Sequence, residues 1–129
     1  MSKLSVAPIT ITKVAAADLE AGIAVTISAT TDKADVTSSG ARPHGITIGA
    51  AKAGQPVNIA VPGSFCFVQL VGAVTDITVP LKVGANGRLT PCTTTKDIVA
   101  ALPKQTGAAA GSAPYVMIEA QSWHGEYYI

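Results

Sequence analysis

Two glycine-punctuated stretches constrain this chain most: His44-Gly-Ile-Thr-Ile-Gly-Ala-Ala-Lys-Ala-Gly-Gln-Pro-Val-Asn-Ile-Ala-Val-Pro-Gly63 and Val79-Pro-Leu-Lys-Val-Gly-Ala-Asn-Gly-Arg-Leu-Thr-Pro91. In each, apolar side chains recur at every second position. That period matches a half-buried strand and cannot be laid along one face of a helix. Asn86-Gly87 is the sharpest local signal, because a type I′ hairpin turn needs positive φ at both central residues. The same period recurs in Ile9-Thr-Ile-Thr12 and in Ile23-Ala-Val-Thr-Ile27. It continues through Val57, Ile59 and Val61 and through Ile77, Val79, Leu81 and Val83, with Pro80 marking an edge or a bulge.

The remaining segments fit around these strands. Thr30-Thr-Asp-Lys33, with Asp32 and Asp35 beside it, reads as a turn. Ser38-Ser-Gly-Ala-Arg-Pro43 reads as a loop. Phe65–Val71 is apolar on both faces except at Gln69 and reads as the central strand of the core. Val14–Ala21 has helix-favouring composition closed by Gly22, enough for a short helical turn. Asp97–Leu102 fits either a strand or one helical turn stopped by Pro103. Gln105–Pro114 is a flexible loop of low complexity, and Tyr115–Glu119 and Glu126–Ile129 read as two final strands. Short strands at this spacing, with no helical pattern of ten residues or more, predict an all-β chain. The expected form is a small single-domain β-barrel or β-tulip-like sandwich with little helix. Residues 1–11 are expected to form a flexible N-terminal arm and residues 12–129 the single β domain.

Charge narrows the function. Charged residues make up 13% of the 129 residues and the net charge is +1, against roughly a quarter charged in ordinary globular proteins. A surface so poor in charge loses little hydration when it docks on another protein, which favours assembly. Lys13, Lys33, Lys52, Lys82, Lys96 and Lys104 are scattered, so the clustered cations that nucleic-acid binding needs are missing. No apolar run approaches the ~18 residues of a membrane helix. Met1–Pro8 has one positive charge and no apolar region behind it, so the expectation is synthesis in the cytosol, with thiols kept reduced. Cys66 lies in Phe65-Cys-Phe-Val68 and reads as a small buried apolar side chain. A bridge to Cys92 is compatible with the sequence, but nothing indicates it.

No constellation for bond-breaking chemistry stands out. Gly49-Ala-Ala-Lys-Ala-Gly54 has the glycine spacing of a phosphate-binding loop. Gln55-Pro56 follows where Lys and Ser or Thr are needed, and a strand follows rather than a helix, so it reads as a tight turn. His44 and His124 each sit beside a glycine in a turn, and no HxH, HxxxH or CxxC occurs, so no metal and no cofactor are expected. Ser64, Cys66, His44 and Asp76 are the candidate nucleophiles, base and acid, without the spacing of a known arrangement. Glu119 and Glu126 read as solvated strand residues rather than paired catalytic carboxylates. The expectation is that the chain is not an enzyme. The aromatics Trp123, Tyr127 and Tyr128, with Tyr115 nearby, crowd the C-terminal part of the chain. They suit either closure of one barrel end or a subunit interface.

Several motifs together resemble the small head decoration, or cement, proteins of tailed bacteriophages. These are Ala21-Gly-Ile-Ala-Val25, Gly45-Ile-Thr-Ile-Gly-Ala-Ala-Lys-Ala-Gly-Gln-Pro-Val57, Lys82-Val-Gly-Ala-Asn-Gly-Arg-Leu89, Ile118-Glu-Ala120 and Tyr127-Tyr-Ile129. The resemblance spans most of residues 20–129. It implies a structural virion protein, made in the host cytoplasm and bound to the outer surface of the expanded capsid. The implied partners are the major capsid protein and, at three-fold or quasi-three-fold positions, two further copies of the chain in a homotrimer. On that reading Val6, Ile9 and Ile11 of the arm contact the capsid by adding a strand to it. Trp123, Tyr127 and Tyr128 then meet neighbouring subunits. The alternatives are another virion component, such as a tail or fibre-base module, or a carbohydrate-binding β-sandwich.

Overall fold

The computed structural model describes residues 9–94, 97–104 and 106–107, together with the backbone of 115–118. Within them the strands are β1 (Thr10–Ala15), β2 (Ala24–Ile27), β3 (Lys33–Val36), β4 (Gly45–Thr47), β5 (Pro56–Ala60), β6 (Phe65–Phe67), β7 (Leu81–Val83), β8 (Leu89–Pro91), β9 (Ala101–Pro103) and β10 (Tyr115–Ile118). The one helical element among the described residues is a 3₁₀ turn at Ala85–Gly87. The chain is all-β, as its alternation predicts.

The first five strands close into a barrel in the order β1-β3-β2-β4-β5. β5 returns antiparallel to β1, from Thr10↔Ala60 to Val14↔Pro56. On its other side β1 pairs parallel with β3 through Val14↔Lys33 and Ala15↔Ala34. Register then decides which side chains point inward. Ala15, Ile23, Val25, Ala34, Val57 and Ile59, with Leu19, fill the barrel interior. Thr47 closes one end, its Oγ1 donating to the Glu20 carbonyl at 2.6 Å and accepting from the Ile23 N–H at 3.1 Å.

The second sheet runs β6-β10-β9-β7-β8, and the chain leaving β6 bridges β8 in parallel at Leu70↔Leu89. The two edges of that sheet are thus joined through a few residues. Between barrel and sheet lies a second core. The barrel's outward side chains Ala24, Ile46 and Ala60 pack there with Cys66, Val68, Leu70, Val74, Leu81, Val83 and Leu89. β2 and β4 are therefore buried on both faces. Gly45, on the barrel's inner side, is a point of close approach, since a Cβ there would sit 2.5 Å from both the Ala60 carbonyl oxygen and Ile59 Cγ2.

The Asn86-Gly87 hairpin forms as expected. Asn86 has φ 57° and ψ 30°, and Gly87 has φ 75°. The Arg88 N–H closes the turn on the Ala85 carbonyl at 3.1 Å. The hairpin tip lies against the barrel, where a Cβ on Gly87 would come within 2.9 Å of the Ala24 carbonyl.

Four expectations need correction. Val14–Ala21 forms no helical turn: β1 runs to Ala15, and Leu19 is drawn into a bridge with Ala51. Lys33 opens β3, and Asp35 lies inside that strand rather than beside a turn. Phe65–Val71 is not the central strand: β6 ends at Phe67 on the edge of the second sheet, and Val68 and Leu70 sink between the layers. The arm was expected to reach residue 11, but Thr10 and Ile11 pair with β5 and the Ile9 carbonyl accepts from the Val61 N–H at 3.0 Å. Of the ambiguous segment, Ala101–Pro103 is a strand, with Pro103 as its last residue.

Candidate functional site

The chemistry-bearing residues singled out above are committed to local structure. Ser64 is buried and its hydroxyl donates to the Val61 carbonyl at 2.7 Å. Asp76 accepts from the Thr78 hydroxyl at 2.7 Å and the Thr78 N–H at 2.9 Å, and these bonds hold its carboxyl below the usual range. Cys66 is a buried free thiol, and burial pushes its pKa up to about 12. Cys92 is also buried and free. Burial, helped by the nearby Asp97 carboxylate and opposed by Lys82, raises it to about 11. His44 stands at the entrance to β4, where Nδ1 accepts the Ile27 N–H at 2.8 Å. No hydrogen bond joins any two of Ser64, Cys66, His44 and Asp76. Glu119, His124 and Glu126 lie outside the described residues. Among the described residues, no three His, Cys, Asp or Glu are placed to hold a metal ion.

Among the described residues the most heavily bonded carboxylate is Asp97. Its oxygens accept from the Thr94 N–H (2.9 Å), the Thr93 N–H (2.8 Å) and the Thr94 hydroxyl (2.8 Å), and Lys82 of β7 donates at 3.1 Å. The two backbone donors are the main reason its carboxyl is held far below the usual range. The group fastens the segment after β8 onto β7, which is a structural task. An open groove of about 540 Å³ runs between Asp18, Leu19, Glu20, Ala50, Ala51, Lys52 and Gln55. Its carboxylates are loosely paired, Asp18 with Lys52 at 3.7 Å and Glu20 with Arg88 at 3.4 Å. The groove holds no nucleophile set against a base.

What remains is surface. The register of β4, β5 and β1 sets Ile48, Pro56, Asn58, Thr10, Thr12 and Val14 on one outward face of the barrel, all of them exposed. The Thr12 hydroxyl bonds to Asn58 Oδ1 at 2.8 Å across two of these strands. None of the six carries a charge. This face is the candidate docking surface, since an uncharged β-surface presents little hydration to be stripped on contact. The alternating residues of each strand are visible in the sequence, but only the register brings the three rows together.

Of the residues expected at contacts, Ile9 is the most exposed apolar side chain, at 67%, just before β1. Ile11 is in β1, opposite Ile59 and 37% exposed. Val6, Trp123, Tyr127 and Tyr128 lie outside the described residues. Phe67 on the edge strand β6 is 57% exposed, a feature the sequence reading assigned to the core.

A closed five-stranded barrel backed by a second, curled sheet defines a compact β-module. No family model matches the chain, and no curated protein matches it. A solved structure does: the head fiber gp8.5 N base in bacteriophage phi29 superposes with a TM-score of 0.71, covering 88% of this chain and 96% of that one, at 13% identity. The two chains share a fold.

Proposed function

We propose that this chain is a structural protein of a phage virion. It sits on the outer surface of the expanded head and docks on the lattice of major capsid protein. The observation that carries the reading is the fold shared with a head fiber base along nearly the whole of that chain. The charge-poor composition and the uncharged face of β4, β5 and β1 support it. A role of this kind needs contact surface and stability rather than catalysis. Three copies over a three-fold or quasi-three-fold position would let weak contacts reinforce one another through shared attachment. In that arrangement Val6, Ile9 and Ile11 face the capsid, and Trp123, Tyr127 and Tyr128 face neighbouring copies.

The phi29 likeness also favours a second reading, in which the module is the base of a fibre rather than a free-standing cement. Co-sedimentation with expanded, undecorated heads, with compact precursor shells as the control, tests both. Saturable binding to expanded heads, at a copy number matching the three-fold sites, supports decoration. Saturation at far fewer copies supports the fibre base. No binding to a cognate head overturns both and leaves glycan binding to be screened. The contact residues are tested with Val6→Ser and Ile9→Ser, because deleting residues 2–11 would also remove pairs of β1 from the barrel.

A further inference from the structure

The hydrogen-bond ladder between β2 and β4 ends in a side chain. The His44 N–H donates to the Val25 carbonyl at 2.9 Å, and Pro43 precedes it. The next donor on the β4 side of β2, the Ile27 N–H, is taken by the His44 ring at Nδ1, 2.8 Å away. The imidazole thus stands where a longer β4 would supply a carbonyl. This bond exists only while Nδ1 carries a lone pair, which means the neutral ring with its proton on Nε2. Protonation turns the acceptor into a donor facing a donor. The residue is exposed, so protons reach it freely.

His44 also marks the return of a loop that ties the two layers together. The loop leaves β3 at Thr37, whose N–H bonds to the Ala24 carbonyl at 3.0 Å and whose hydroxyl meets that of Thr26 at 2.9 Å. At its far point the Gly40 N–H bonds to the Val83 carbonyl of β7 at 2.8 Å. It then re-enters the barrel through Pro43 and His44. The charged groups around the ring come from outside its own seam. β2, β4 and β5 carry no titratable side chain. β3 presents Lys33 and Asp35 on its outer face. Asp35 lies in the row that runs from His44 across Thr26, and its Oδ1 accepts from the Val36 N–H at 2.8 Å. Arg42 stands two residues before the ring.

We propose that His44 is an acid-sensitive catch. With the ring neutral, it fastens the returning loop to the end of β2. With the ring protonated, it releases that end and loosens the loop that docks the barrel on the second sheet.

Amide exchange and ¹H–¹⁵N spectra of the full chain between pH 7.5 and 5 test this. Corrected for intrinsic exchange, protection of the Ile27 amide is about tenfold lower in acid, the size expected for one lost hydrogen bond. Protection at Gly40 falls in the same direction, and Thr47, whose N–H bonds to the Ile23 carbonyl in mid-seam, holds steady. His44→Asn keeps an acceptor that does not titrate and abolishes the pH dependence at both sites. Unchanged protection at Ile27 overturns the proposal. So does a change at Ile27 without one at Gly40, or a pH response that survives in His44→Asn. If that variant fails to fold, the wild-type amides and the ring ¹⁵N shifts, which report the neutral tautomer directly, decide the question.

Discussion

Ile46 and Ile48 lie two residues apart on the outward side of the same strand direction, yet Ile46 is fully buried and Ile48 is 40% exposed. The difference arises because the second sheet covers the barrel at Ile46, alongside Ala24 and Ala60, and leaves it open at Ile48. Truncating each to alanine therefore measures the contact between the two layers. Ile46→Ala removes three buried carbons at about 0.8 kcal/mol each, some 2.4 kcal/mol of transfer free energy. A cavity in a site that cannot collapse adds about 1 kcal/mol more. The expected loss is about 3–4 kcal/mol, or roughly 12–16 °C in melting temperature at about 4 °C per kcal/mol for a domain of this size. Ile48→Ala should cost about 1 kcal/mol, because much of its side chain is already in water. Urea titrations followed by tryptophan fluorescence and far-UV circular dichroism read both, with an unchanged m-value licensing the comparison. If the two variants lose the same stability, the barrel's outer face is not covered as described and the two-layer core is wrong.

Other expectations follow from single groups. Gly45→Ala forces a methyl against the Ala60 carbonyl between β4 and β5, and should cost about 3 kcal/mol in the same urea assay, at the upper end for overpacking. Cys66 and Cys92 should resist a thiol reagent at pH 8 in the native protein and react fully in denaturant. Because their folded pKa values lie at about 12 and about 11, above the ordinary thiol value, the stability they contribute is complete below pH ~9 and is lost as pH rises toward those values. An alkaline melt of Cys66→Ala should show a weaker decline than wild type. Asp97 has the opposite sign. Its folded pKa is depressed, so its contribution is present above the unfolded value near pH ~4 and fades as pH falls below it. Asp97→Asn should lose about 2 kcal/mol at pH 7, as expected for hydrogen bonds to a charged group, and show a flatter acid melt.

Much of the architecture was legible because strict alternation survives where one side chain in two must be buried. Val57 and Ile59, Ile23 and Val25, and the Asn86-Gly87 turn all occupy the places their pattern predicts. β3 was not legible, because its inward residues are just the small Ala34 and the half-buried Val36, with the charged Lys33 and Asp35 alternating with them. The alanines of Val14–Ala21 favour a helix locally. Pairing with β3 and β5, and the distant bridge to Ala51, outweigh that propensity. The apolar run Phe65–Val71 misleads for another reason: only Cys66, Val68 and Leu70 are buried, while Phe67 and Val71 are apolar yet exposed, and composition cannot separate such a run from a central strand. The uncharged face of β4, β5 and β1 was hidden most deeply. Thr12, Asn58 and Ile48 look unremarkable one by one, and their common face is a product of register.

Closure has a consequence for crowding. The barrel spends the main-chain hydrogen bonds of β1 to β5 on one another, and the Leu70–Leu89 bridge ties one margin of the second sheet to the other. Among the described residues, a neighbour approaching the barrel finds little ladder to extend outside Thr10–Lys13 of β1, ladder extension being the usual route by which concentrated β-proteins fuse into fibrils. Recognition there must be written in side chains. A surface written that way can be retuned one substitution at a time, and copies held at very high local density can touch without merging.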